Sequence, residues 1–251
     1  LGCPLVVTTH GGDTARRIQK GMLPQLKCYC DAADHITAVS NQTAELLRTC
    51  GTKTPITTIH NGFVPRRVEA GERDPFGLIQ VGHLIPSKHF DTTIRAFSLL
   101  KDKYPAMTLT IVGQGHLRGA LENLCQELNV SDRVTFTGQI PNEEVFARIC
   151  KASFFVMASH PEGFGIVYLE AMAAGCAIVG TEGQGIADII ESGKNGWLVS
   201  PDDPEKVAEI LDFSLQNPET HVKIANAGQT LAQGMTWNAC AQNYIALFET
   251  L

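Results

Sequence analysis

The chain has 251 residues, 44% of them hydrophobic and 18% charged, enough apolar material for a sizeable core and too much for a disordered chain. Twenty Lys and Arg against 26 Asp and Glu leave a net charge of −6, the wrong sign for a phosphate-rich partner, so nucleic acid is excluded. No apolar run reaches the roughly 18 residues that cross a bilayer, and no signal peptide is read at the start. The eight cysteines are scattered and form no CxxC pair. They read as reduced cytosolic thiols acting as small core hydrophobes. Because the first residue is Leu1 and a strand follows almost at once, further sequence is expected upstream.

In chain order the pattern is strand, helix, strand, helix, which points to a parallel sheet with helices on both faces. Strands are expected at Leu5–Thr9, His35–Val39 and Pro55–Ile59, with Ser40 capping a helix over Asn41–Thr49. The polar, Gly- and Pro-marked stretch around Glu69–Pro75 reads as a linker. The alternation then restarts. Strands are expected at Leu78–Val81, Leu109–Val112, Val134–Thr137, Phe154–Ala158, Ala177–Gly180 and Trp197–Val199. Helices are expected at Phe90–Lys101, Leu117–Leu128, Asn142–Cys150, Gly165–Ala174, Ile186–Glu191 and Pro204–Leu215, followed by a helical tail with a break near Gly234. The expected organisation is a partial Rossmann-like domain over 1–66, a linker over 67–76 and a complete doubly wound domain over 77–235. A final helix over 236–251 is expected to cross back to the N-terminal part.

Several chemistries lack their parts: there is no GxSxG, no Walker A loop, no HExxH and no DxD. Any phosphate must be held by helix N-termini and basic side chains. The segment from Ser159 to Gly175 (SHPEGFGIVYLEAMAAG) offers such a device. A buried strand runs into a glycine turn and then a helix, at the carboxyl end of a parallel strand where such folds bind ligands. Gly163, Phe164, Gly165, Ile166 and Val167 would offer amides, while Glu162 and Glu170 suit hydroxyls, of a sugar ring and of a ribose respectively. A plainer possibility is that Ser159 and Glu162 form a capping box, although this puts Gly163 and Gly165 in the first turns of a helix at about 1 kcal/mol each.

This segment resembles the signature of retaining GT-B glycosyltransferases, particularly family 4 (glycosyl transferases group 1), whose Glu-x7-Glu motif matches Glu162 and Glu170. The resemblance continues through Val81–Lys88 (VGHLIPSK), Ile111–Gly115 (IVGQG), Val134–Ile140 (VTFTGQI), Gly183–Asp188 and Asn195–Val199. Upstream, Ile59–Gly62 (IHNG) resembles an IPNG segment, and Thr8–Gly11 the strand end where the family keeps a His. It implies metal-independent sugar transfer with retention of configuration, from a nucleotide diphosphate sugar to a glycan, lipid or small-molecule acceptor, without a cofactor. Lys88, Gly82 and His83 would face the diphosphate, Ile140 the nucleobase and His10 the sugar from the opposite domain. A cytoplasmic place is expected, with peripheral contact to the inner face of the membrane through the upstream part.

Some positions depart from the family pattern. His83 stands where Arg is usual, Lys88-His89 replaces Lys-Gly, and Asp188 stands where Glu is commoner. His60, His89, His116 and His221 read as surface or core residues, and Arg16, Arg17, Lys20 and Lys27 as a solvated basic face or a membrane contact. Two other functions remain open: a non-catalytic sugar-nucleotide-binding module, and an NAD(P)-binding protein suggested by Gly113, Gly115 and Gly119.

Overall fold

A computed structural model of the chain describes residues 3–66 and 72–251. The first part holds β1 (Val6–Thr9), α1 (Gly12–Gln19), α2 (Leu23–Asp31), β2 (His35–Ala38), α3 (Asn41–Arg48) and β3 (Ile56–Thr58). The three strands form a parallel sheet in chain order. Ser40 caps α3, its Oγ accepting the Thr43 amide at 3.1 Å, a contact worth about 1 kcal/mol. Helices α1 and α2 are absent from the sequence expectation. Each is short and lies between breakers (Gly11, Gly21) or contains one (Pro24), so local signals pointed to a loop. Tertiary packing decides instead, through Leu26 and Cys30 against Ile36, Ala44 and Leu47.

The second part contains β4 (Asp74–Val81), α4 (Phe90–Leu100), β5 (Thr108–Val112), α5 (Arg118–Glu127), β6 (Val134–Gly138), α6 (Asn142–Lys151) and β7 (Ala152–Val156). It continues with α7 (Ile166–Ala174), β8 (Ala177–Thr181), β9 (Trp197–Val199), α8 (Pro204–Gln216) and α9 (Pro218–Gly234). All six strands are parallel, in the order β6-β5-β4-β7-β8-β9. This is the doubly wound arrangement, with its reversal between β4 and β7. Alternate strand residues feed opposite faces: Leu78, Phe154 and Val179 pack on the side of α4, α5 and α8, while Ile79, Phe155 and Ile178 pack towards α6 and α7.

Two expectations need correction. Strand β4 starts at Asp74, inside the stretch read as linker, because Pro75 sits where the pairing with β7 shifts register and the missing N–H costs nothing. Residues 67–71 of that linker lie outside the described residues. The helix expected over Ile186–Glu191 is a short 3-10 turn, Gly185–Asp188.

The two parts touch extensively. The Phe63 amide donates to Met235 O at 3.1 Å, and the Trp237 amide to Phe63 O at 3.3 Å. A Cβ on Gly62 would stand 2.3 Å from the Trp237 nitrogen, so this crossing requires glycine. From there α10 (Trp237–Phe248), capped by Thr236, returns to the first sheet, where the Tyr244 hydroxyl lies 3.2 Å from Thr8 Oγ1 and from Thr37 Oγ1. Among the described residues no helix is long and apolar enough to cross a membrane.

Candidate functional site

The reversal of strand order opens a crevice where the loops leaving β4 and β7 diverge. The β4 loop passes through Gly82 and His83 to a 3-10 turn at Pro86–Lys88. Its backbone is pinned from below by Gln80, wholly buried, whose Nε2 donates to Lys88 O at 2.7 Å. The β7 loop docks beside it, the His160 amide donating to Ser87 O at 2.8 Å. This brings the Lys88 ammonium against Glu162 Oε2, in a pair whose side chains are 22% and 13% exposed. His89 follows in the left-handed region at φ 46, and its Nδ1 is 2.5 Å from Asp202 Oδ1. It is a tethered residue rather than a loose surface one.

Glu162 is held on three sides. Ser159 Oγ donates to its Oε2 at 3.0 Å, its amide donates to Gln184 Oε1 at 2.8 Å, and its carbonyl accepts the Gly185 amide at 3.2 Å. The Ser159–Glu162 spacing therefore makes a side-chain contact, not a capping box, because α7 begins four residues later at Ile166. Gly165 at φ 78 supplies the break that stops the helix reaching back to Glu162. The amides of Gly163, Phe164, Gly165, Ile166 and Val167 have no acceptor among the described residues, leaving a row of donors at the start of α7. The sequence pairs Ser159 with Glu162 only as a capping box, and nothing in it singles out Gln184 as a partner of Glu162. Ser159 and Gln184 are buried polar residues inside segments that had drawn attention for their glycines and glutamates.

The other half of the crevice comes from the first sheet. A Cβ on Gly163 would stand 2.2 Å from His10 O, and one on Gly185 would stand 2.0 Å from Gly163 O. Loops from β1, β7 and β8 thus meet backbone to backbone at Gly163. The His10 side chain is exposed and lines a cavity of about 320 Å³ with Thr9, Thr14 and Arg17. His83 is also exposed, against the possibility that it turns into the core. Ile140 is half-buried just beyond β6, two strands from β4, and packs on the α6–α7 side of the core. Among the described residues no three His, Cys, Asp or Glu side chains are grouped to hold a metal ion.

The family described as "Glycosyl transferases group 1" matches residues 66–231, and that described as "Glycosyltransferase Family 4" matches residues 1–67. The chain belongs to the group 1 glycosyltransferases. It is 32% identical over 203 residues to a glycogen synthase of Mycobacterium tuberculosis, covering 76% of this chain and 48% of that protein. It is 28% identical over 245 residues to the GDP-mannose-dependent alpha-(1-6)-phosphatidylinositol monomannoside mannosyltransferase of Mycolicibacterium smegmatis, covering 90% and 64%. The chain thus spans about half to two thirds of these curated relatives. Among solved structures, Anabaena HepE in complex with UDP and glucose superposes with a TM-score of 0.84 and 21% identity over 99% of this chain and 72% of that one. Sucrose-phosphate synthase from Thermosynechococcus elongatus gives 0.79 and 25% over 98% and 67%. These neighbours have the GT-B architecture, and so does this chain.

Two of the three glycines that hinted at a dinucleotide, Gly113 and Gly115, are explained by packing. A Cβ on Gly113 would stand 1.9 Å from Gly82 O, and one on Gly115 would stand 2.3 Å from Leu84 O. They let the β5 loop lie on the β4 loop, and β5 is not the first strand of its domain. The core thiols are equally quiet: burial pushes Cys125 up to about 11 and Cys176 up to about 12, which leaves little nucleophilic thiolate at neutral pH.

Glu170 lies one and a half turns into α7, half-buried, and its carboxylate has no hydrogen-bond donor among the described residues. Burial holds its carboxyl above the ordinary glutamate range, with the Arg66 charge pulling the other way. The charged form is therefore costlier in the fold than in the unfolded chain. The stability it contributes is present at low pH and is lost as pH rises through the raised value. Glu170→Gln is expected to raise the melting temperature at neutral pH and to flatten the loss of stability above the ordinary glutamate range. Melting curves from about pH 4 to pH 7.5 check this. A variant melting at or below the unaltered chain at neutral pH would contradict it.

Proposed function

We propose that this glycosyltransferase binds a nucleotide diphosphate sugar, UDP- or GDP-linked, over the start of α7, and transfers a hexose-type sugar with retention of configuration. The acceptor is a glycan, a lipid or a small molecule, and neither metal nor cofactor takes part. The observation that carries this is the meeting of Lys88, Glu162 and the five amides without acceptors at the point where the strand order reverses. Lys88 and the amides stabilise the leaving diphosphate electrostatically, an arrangement that needs no covalent intermediate. The diphosphate draws the Lys88 ammonium away from Glu162, and the freed carboxylate accepts sugar hydroxyls, each such charged hydrogen bond contributing roughly 1.5–3 kcal/mol. Glu170 accepts the ribose hydroxyls, Gly82 and His83 border the diphosphate, the Ile140 backbone meets the base and His10 approaches the sugar from the facing domain. The HepE structure holds UDP and the mycobacterial relative is named for GDP-mannose, so both nucleotides belong in the test.

A panel of UDP- and GDP-sugars offered with glycan and lipid acceptors, with the anomeric configuration of the product read by NMR, tests the proposal. Transfer with retention is expected, and it is expected to persist in EDTA, since the chain has no DxD to hold a metal-bound diphosphate. An inverted product, or activity abolished by chelation and restored by Mg²⁺ or Mn²⁺, would contradict it. Nucleotide binding without any transfer would favour the non-catalytic module instead.

His83 gives an independent check. Arg there keeps its charge where an imidazole loses it and can grip a phosphate with two donors. His83→Arg is expected to tighten UDP or GDP binding severalfold. Affinities unchanged by the substitution would remove His83 from the diphosphate site.

A further inference from the structure

His60, read from sequence as an ordinary core or surface residue, occupies the junction of three elements. Its Nε2 is 2.9 Å from Asp188 Oδ2, and the same oxygen accepts the Asn41 backbone N–H at 2.6 Å. Asn41 opens α3 in the first part, and its Oδ1 accepts from Thr58 Oγ1, at the end of β3, at 2.8 Å. Asp188 ends the 3-10 turn that follows β8 in the second part, and its side chain is 10% exposed. One carboxylate oxygen therefore ties the two parts together. Because a carboxylate only accepts, the His60 Nε2 carries the proton in this contact.

The other side of the same ring faces the donor loop. His60 lies on Phe164 with ring centroids 5.3 Å apart and planes 20° from parallel. Phe164 is 2% exposed and sits in the middle of the five amides without acceptors. Its neighbour Gly163 is the residue pressed against His10 O and Gly185. His60 and Asp188 also occupy two positions where the resembled pattern has Pro and Glu. A proline ring has no N–H to donate, so the clasp depends on the two unusual residues together.

We propose that His60 is a positioning residue for the donor loop. Its ring face fixes Phe164 and its Nε2 fixes Asp188, so the alignment of the 163–167 amides depends on the two parts being docked through Asn41. The assignment presupposes the donor-binding role of those amides. A clasp that served only general stability would affect the whole domain, whereas this one acts on a single loop.

The test uses the whole chain with His60→Ala, His60→Phe and Asp188→Asn. Hydrogen exchange is followed at the hydrogen-bonded amides that hold the loop, Glu162, Tyr168 and Gly185, and in β4 and β5, and UDP and GDP affinities are measured alongside. His60→Ala and Asp188→Asn are expected to speed exchange of the loop about tenfold while β4 and β5 keep their protection. His60→Phe, which keeps the stack and loses the donor, is expected to fall between. Nucleotide affinity should drop in the same order, and combining His60→Ala with Asp188→Asn should cost little more than either alone. Unchanged loop exchange, exchange raised equally across the domain, or variants that bind nucleotide as well as a binding-competent parent would each overturn the proposal. Failure of the unaltered chain to bind either nucleotide would count against the donor function itself, and the exchange rates would then decide the clasp on their own.

Discussion

A Gly163→Ala variant is expected to melt several degrees below the unaltered chain and to lose nucleotide binding. The added methyl would stand 2.2 Å from His10 O and 3.4 Å from Gly11 Cα, and backbone, unlike a flexible side chain, cannot step aside. Overpacking of this kind costs about 1–3 kcal/mol, occasionally more. In a domain of this size each kcal/mol is worth roughly 2–4 °C. Relief can come only by parting the β1 loop from the β7 loop, which opens the crevice. Gly82→Ala is the control: its Cβ would meet only the Lys88 stem at 3.7 Å, an ordinary contact. Thermal melts of both variants decide the matter. Equal melting temperatures for Gly163→Ala and the parent would show that the close approach is not needed.

Glu162→Gln is expected to separate binding from turnover. The neutral amide loses the charged contact to Lys88, and in the proposed mechanism it also loses two charged acceptors for sugar hydroxyls. At about 1.5–3 kcal/mol per hydrogen bond, and 1.36 kcal/mol per factor of ten, kcat should fall by roughly 10²–10⁴. Free UDP or GDP carries no sugar and gains a lysine no longer held by a carboxylate, so its affinity should stay level or improve. Steady-state kinetics with a titration of the bare nucleotide measures both. A kcat within threefold of the parent would remove Glu162 from the sugar site.

The sequence made some of this site legible for physical reasons. Strands buried on both faces, such as β7 and β8, are continuous apolar runs bounded by turns, and their alternation with helices leaves little choice of topology. The segment from Ser159 to Gly175 stood out because glycines there conflict with an ordinary helix start, and the conflict marks a functional turn. Less visible were features that depend on contacts distant in sequence. Gln184 matters because it reaches Glu162, His60 because it reaches Asp188 and Phe164, and Gly163 because two other loops press on it. No periodicity or local spacing encodes those meetings. Helices α1 and α2 were hidden for the opposite reason: their local signals argue for a loop, and packing overrides them.

The central claim is that the start of α7, with Glu170 beside it, is the nucleotide site. Calorimetric titration of UDP and GDP into the unaltered chain and into Glu170→Gln tests it most directly, because that variant is expected to be the more stable of the two and weaker binding cannot be blamed on unfolding. At least one nucleotide should bind the unaltered chain, and Glu170→Gln should weaken it about tenfold or more, as the loss of a charged acceptor for ribose hydroxyls requires. Nucleotide that binds both proteins equally would place the site elsewhere and contradict the account.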